Sequence, residues 1–558
     1  MHDLLIRNAL VCDGLGSPPV EGALAVDAGR ISAVGEVSGA AREVVDAAGL
    51  VLAPGIIDSH THYDAQVTWD PMLSPSPSLG VSTVIIGNCG FTIAPCRAAD
   101  RDITMRNLVK VEGMSLEAMQ RGIPWGFETF AEYLDMIAAR GVVPNVAAFA
   151  GHSSIRTWVM GADARHRAAT ADEIEGMVQT LREAMDAGAV GFATSTSPSH
   201  NGDGGLPMPS RLAETAELDA LVGVLGETAS GVFMLTKGGG TSIEYLESLA
   251  ARSDRPVMVA ALLHNGTNPD GVFAEFRRIE AARERGRMLW GQVSCCPLTM
   301  EFTLRSPYPF EGIRAWAPAL TARPETLPAV LADPRFREAV TAELEEPAPV
   351  RLFNGEWRKL RVVQTARAEN QAAEGRDVAA LARAAGSAPL DWMLDLALVE
   401  NLETTFAAEL LNSDQEAVAR LLTHPASSIA LSDAGAHLSF FCDAGFGLEL
   451  LGPWVRERGI MPIGEAVRRL TSQPADIYGL PDRGRLVPGA WADLLLFDPQ
   501  RVARGPSRRV HDLPGGAQRL TTDARGVHGV WVNGTRVVDE HGVCAGDARP
   551  GRLLREFR

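Results

Sequence analysis

Between about residues 55 and 480, short apolar runs alternate with stretches whose hydrophobic positions fall three and four apart. This pattern predicts parallel strands separated by helices. One helix reads closely: Thr170-Ala171-Asp172-Glu173 has the form of a capping box. Ile174, Met177, Val178, Leu181 and Met185 follow at helical spacing until Gly188. Strand-like runs fall at 51–60, 82–89, 144–152, 190–195, 231–237, 256–264, 288–294 and 427–433. Their number is the one a closed (β/α)8 barrel needs.

Before about residue 54 the pattern changes to short β-like pieces punctuated by glycines, such as Leu4-Leu5-Ile6, Leu24-Ala25-Val26 and Arg30-Ile31-Ser32-Ala33-Val34. Similar pieces return at Leu494-Leu495-Leu496-Phe497 and Gly529-Val530-Trp531-Val532. The expected architecture is α/β: a (β/α)8 TIM barrel over 55–482, with a small β-sandwich built from both chain ends, 1–54 and 483–558. The interval between the seventh and eighth strands is too long for one helix. An insertion at about 300–375, with a helical stretch over 327–344, is expected to fold over one barrel mouth as a lid.

A chain of 558 residues accommodates such a barrel with a smaller companion. The 52 Lys and Arg against 69 Asp and Glu leave a net charge of −17, which repels phosphate backbones and anionic membranes. No nucleic acid and no membrane partner is expected. No apolar run reaches the ~18 residues of a membrane span, and Met1-His2-Asp3-Leu4 does not begin like a secretory signal. The protein is therefore expected to be soluble and cytoplasmic; a small-molecule substrate and a homo-oligomer are also expected. The 7 cysteines are odd in number and lack a Cys-x-x-Cys pair, so neither a disulfide framework nor a zinc ribbon is indicated.

The polar residues fall in particular places. His60, His62, Cys89, His152, Lys237, His264 and Asp433 stand at or just past the C-terminal ends of apolar runs, the face where barrel enzymes carry their chemistry. His60 and His62 are two apart on a strand, so both imidazoles point the same way. Each residue also has a plainer reading. Paired histidines can simply hydrogen-bond, Asp433 can cap a turn, His264 can be a core histidine, and Cys89 alone reads first as a small buried hydrophobe. Lys237 is less easily absorbed, because a buried ammonium is costly unless paired or chemically altered. Together, the imidazoles, thiol and carboxylate make a site for a divalent cation, with zinc the default. Asp433 is the carboxylate placed to move a proton between water and a leaving amine, which points to metal-assisted hydrolysis of an amide.

These motifs resemble the amidohydrolase superfamily, and within it the N-acyl-D-amino-acid deacylases, or D-aminoacylases. The resemblance covers nearly the whole chain. It rests on Ala53-Pro54-Gly55-Ile56-Ile57-Asp58-Ser59-His60-Thr61-His62, on Gly87-Asn88-Cys89-Gly90, on Gly151-His152-Ser153, on Ser432-Asp433 and on the tail from Ala466 to Asp493. It implies cleavage of the amide of N-acyl, D-configured amino acids. His60, His62, Cys89, Lys237, His264 and Asp433 would be metal residues, Asp433 the catalytic acid and base, and His152 and His437 substrate contacts. One departure stands out: where the family carries a fifth-strand His-x-Arg, this chain has Lys237-Gly238-Gly239. Two readings of Lys237 are open. It is carbamylated and bridges two metals, the preferred one, or it stays cationic beside an altered site. The missing arginine leaves Arg156, Arg211 and Arg305 as candidates for a substrate carboxylate. Cyclic-amide hydrolysis of hydantoinase or dihydropyrimidinase type, and a catalytically altered small-molecule-binding homologue, are the alternatives.

Overall fold

Gly55 divides the first apolar run between two sheets. In the computed structural model, which describes residues 1–346, 348, 351–436 and 443–557, Val51–Pro54 pairs antiparallel with Leu494–Phe497 and parallel with His2–Val11. Ile56–Asp58 instead pairs parallel with Val81–Ile86. The expected continuous strand over 51–60 is thus corrected to two. The physical reason is crowding: a Cβ on Gly55 would lie 2.3 Å from Ser82 Oγ, so only glycine lets the chain pass from sheet to sheet here.

Both chain ends build one 9-stranded sheet. From the N-terminal side come His2–Val11, Val20–Asp27, Arg30–Gly35, Ala41–Asp46 and Val51–Pro54. From the C-terminal side come Leu494–Phe497, Val527–Val532, Thr535–Asp539 and Gly542–Val543. Leu4, Ile6, Leu24, Val26, Leu494 and Trp531 pack together in its core.

The intervening chain is mixed α/β. Its parallel strands are β1 (Ile56–Asp58), β2 (Val81–Ile86), β3 (Asn145–Ala148, resuming at Ala150–Gly151), β4 (Gly191–Ser195), β5 (Val232–Thr236), β6 (Val257–Ala260), β7 (Leu289–Val293) and β8 (Ser427–Ile429). Each pairs in parallel with its neighbour in sequence, from β1 to β3 and from Ala150–Gly151 through β4 to β8. Nearly every residue in them is buried, the pattern of strands covered on both faces. Just past their ends, β8 and β1 meet: Asp433 N–H donates to His60 O at 3.2 Å and His62 N–H to Ala434 O at 2.7 Å.

The helices between these strands include α1 (Arg101–Val111), α2 (Ala171–Asp186) and α3 (Gly271–Glu284). The capping box of α2 forms as its sequence requires, with Thr170 Oγ1 accepting from Glu173 N–H and Glu173 accepting from Thr170 N–H.

A second hydrophobic core, including Phe302, Phe310, Trp316, Leu331, Leu394 and Phe406, forms within the long interval after β7 and runs from Met300 to Leu410. Its antiparallel sheet has Thr405–Leu411 between Leu298–Phe302 and Leu360–Gln364. The helical stretch over 327–344 is broken into Leu327–Ala332 and Pro334–Leu344. Proline disfavours helical backbone in the residue before it, and Asp333 turns this break into a cap by accepting from Arg335 N–H at 2.9 Å. Among the described residues no helix is long and apolar enough to cross a membrane.

Candidate metal centre

His60 and His62 follow β1 with the strand's two-residue period, and both imidazoles are almost completely buried. Their rings sit 5.3 Å apart, edge to face. His60 Nε2 lies 3.6 Å from Cys89 Sγ and 3.3 Å from Asp433 Oδ1, and His62 Nε2 lies 3.6 Å from the same Asp433 oxygen. One ligand atom each from His60, His62 and Cys89 falls within 4.8 Å of the others.

The second and third elements of this cluster arrive on unusual backbone. Cys89 has φ 58° and Asp433 has φ 47°, both in the left-handed region that non-glycine residues seldom occupy. Each sits in a tight turn that sends its side chain back over the strand ends. The Gly-Asn-Cys-Gly sequence makes the first turn feasible. A Cβ on Gly90 would lie 2.5 Å from Ala193 O, and Asn88 Nδ2 donates to Ile85 O at 2.9 Å.

The surroundings prepare the donors. Gln292 Oε1, 2.7 Å from His60 Nδ1, accepts a hydrogen bond from that nitrogen and aims Nε2 at the cluster. Burial works against a Cys89 thiolate, but the positive charge of His60 and His62 outweighs it and lowers the thiol to about 6. Thr236 Oγ1 donates to the same sulfur at 3.1 Å. Burial also opposes charge on His62, yet the Glu112 carboxylate and the hydrogen bond to Asp433 raise it well above the usual imidazole range. Asp58 and Asp64 are raised to about 7, chiefly by burial. Two imidazole nitrogens, an acidic thiol and a carboxylate within this space fit a borderline divalent cation.

The remaining expected residues lie elsewhere. Lys237 Nζ stands 3.3 Å from Glu275 Oε1 on α3. The reason is strand parity: Thr236 faces Cys89, so the next side chain points to the opposite face. His264 lies well past the end of β6, where its backbone exchanges hydrogen bonds with Asn412 and its ring lies by Phe273. His152 is fully buried, with Nδ1 on Thr194 Oγ1 and Nε2 on Glu217 Oε1, each at 2.7 Å. Arg156 is engaged by the same glutamate, Arg211 by Asn201 and the His200 carbonyl, and Arg305 by the Asn401 carbonyl. His437 lies outside the described residues.

Three neighbours of the cluster went unseen in the sequence: Gln292, Thr236 and Glu112. Gln292 lies within β7 and Thr236 ends β5, positions where a polar side chain facing inward was the available signal. Glu112 carries no such signal. It follows α1, yet its carboxylate is buried 3.3 Å from His62 Nδ1.

A profile described as the amidohydrolase family matches residues 43–538. The chain is 29% identical to an N-acyl-D-aspartate deacylase of Alcaligenes xylosoxydans, over 99% of this chain and 95% of the relative. It is also 29% identical to a D-aminoacylase of the same organism, over 99% and 97%. The fold resembles the crystal structure of an N-acyl-D-glutamate deacylase from Bordetella bronchiseptica, complexed with zinc and a phosphonate inhibitor that mimics the tetrahedral intermediate. That likeness has a TM-score of 0.69 and 26% identity, and covers 100% of both chains.

Proposed function

The chain belongs to the amidohydrolase family, and from that premise we propose that it is a metal-dependent hydrolase of N-acyl-D-amino acids, cleaving the linear amide. The observation that carries this reading is the convergence of His60, His62, Cys89 and Asp433. His60, His62 and Cys89 would hold the cation, zinc by the softness of the donors. When bound, zinc supplies Lewis acidity that polarises the amide carbonyl and acidifies water.

The chain's own residues then manage the proton. Asp433 Oδ1 takes it from the attacking water and returns it to the amide nitrogen as the C–N bond breaks, leaving a carboxylic acid and a free amine. Gln292 keeps the His60 ring in one tautomer, and Thr236 holds the Cys89 sulfur in place. The eight parallel strands are inferred to close as a (β/α)8 barrel through the contacts between His60, His62, Asp433 and Ala434. The site would then lie at its C-terminal mouth.

Substrate would enter beside Glu112, where a cavity of about 660 Å³ lies between the end of α1 and the second core. Val111, Gly113, Met300, Phe302 and Tyr308 are among its walls. The cyclic-amide alternative calls for a carbamylated lysine among the ligands, whereas the Lys237 ammonium is paired with Glu275. Rates on matched N-acetyl-D-amino acids, their L enantiomers and hydantoins test the proposal. Turnover of the D series is expected; hydrolysis confined to the cyclic amides would overturn it.

A further inference from the structure

The two imidazoles of the cluster are backed by different chemistry. Behind His60 stands a neutral amide, Gln292, 2.7 Å from Nδ1. Behind His62 stands a carboxylate, Glu112, 3.3 Å from Nδ1, with the residue only 2% exposed. Nothing in the composition of α1 prepares for an interior anion there. Its last turn carries Lys110, and Glu112 N–H closes the helix on Leu108 O at 3.0 Å. Gly113, at φ 62°, then turns the chain, and the Glu112 side chain enters the interior while its neighbours Val111 and Gly113 line the cavity. Burial raises the Glu112 carboxyl well above the usual carboxylate range against the pull of His62, so a site that sets it against an imidazole has something to gain from the pair.

We propose that Glu112 is a positioning residue for the metal: its carboxylate, paired in charge with His62 Nδ1 at 3.3 Å, favours the proton on that nitrogen and leaves the Nε2 lone pair for the cation. A histidine that donates its second N–H to a carboxylate is fixed in tautomer and ring orientation and becomes a more basic ligand. His62 is accordingly the stronger nitrogen donor of the pair, and Gln292 orients His60 without adding charge. Glu112 thereby stands between the cavity wall and the metal cluster. The inference rests on the reading of His60, His62 and Cys89 as metal ligands.

The test compares wild type, Glu112→Gln and Glu112→Ala in zinc affinity, measured by competition with a chromophoric chelator. Thermal unfolding of each metal-free protein and the visible spectrum of each cobalt-loaded protein are recorded alongside. Glu112→Gln keeps shape and removes charge, so its metal-free unfolding should match wild type while zinc affinity falls about 10- to 100-fold and the cobalt bands shift. Equal zinc affinity and unchanged cobalt bands in both variants would overturn the positioning role and leave the metal reading intact. Loss of metal-free stability with wild-type affinity would also overturn it, making Glu112 a packing residue. Failure of wild type itself to bind zinc would overturn both.

Discussion

The two walls of the site differ in how they use their strand ends. On one wall, β1, the turn after β2 and the segment after β8 bring ligand atoms of His60, His62 and Cys89 within 4.8 Å of one another and Asp433 Oδ1 to 3.3 and 3.6 Å from the two imidazoles. On the other, β5 and β6 send their candidates away: Lys237 to Glu275 on α3, and His264 toward Asn412 and Phe273. Both walls end in ligand-capable residues. The difference is parity and reach. His60 and His62 continue the inward face of β1, whereas Lys237 falls one residue beyond the inward-facing Thr236, and His264 has already left with its loop. A polar residue at a strand end is therefore a ligand only when it also has the right parity and lies close to the last ladder bond.

The largest effect should come from Asp433→Asn. It removes the proton carrier and leaves His60, His62 and Cys89 in place, so metal content should persist while kcat falls by about 100-fold or more. Substantial remaining activity would show that the converging wall holds a metal without moving the proton through this carboxylate.

Cys89→Ser should cost most of the bound metal and also reveal the thiol's acidity. In the metal-free wild type, thiolate absorbance should rise with a midpoint at about 6, against an ordinary thiol value of 9.0, and this step should be missing in the variant. A thiol pKa lowered on folding contributes stability that is fully present above the ordinary value and is lost as pH falls through about 6. Metal-free wild type should thus lose stability relative to Cys89→Ser across that interval as the solution is acidified.

Lys237→Ala probes the other wall. With the ammonium directed at Glu275, metal content should stay near that of wild type. A loss of metal that added short-chain carboxylic acids restore would establish a carbamate and make the two walls alike. The smallest effect should come from Thr236→Val, which removes one hydrogen bond to the Cys89 sulfur. A weakening of metal binding worth about 1 kcal/mol is expected, read by the same chelator competition.

Much of the fold was legible because its signals are local. Apolar runs anticipated the positions of β2 to β8, and Thr170 with Glu173 marked the start of α2. The break at Gly55 was missed, because both halves of the run are apolar and the crowding comes from Ser82 on another strand. The break at Pro334 had a local cause and could have been read from Asp333-Pro334. Of the site, the His-x-His period and the Gly-Asn-Cys-Gly turn were visible. Gln292 and Thr236 reach the cluster across 232 and 147 residues of chain, and no periodicity links such positions.

The sequence by itself determined where strands end, which residues could ligate, and that two imidazoles share one face, since each depends on neighbours a few residues apart. Tertiary structure alone decided which donors meet. Lys237 found Glu275, His152 found Glu217 and His62 found Glu112, because a buried charge or ring nitrogen takes the partner that folding brings within hydrogen-bonding distance.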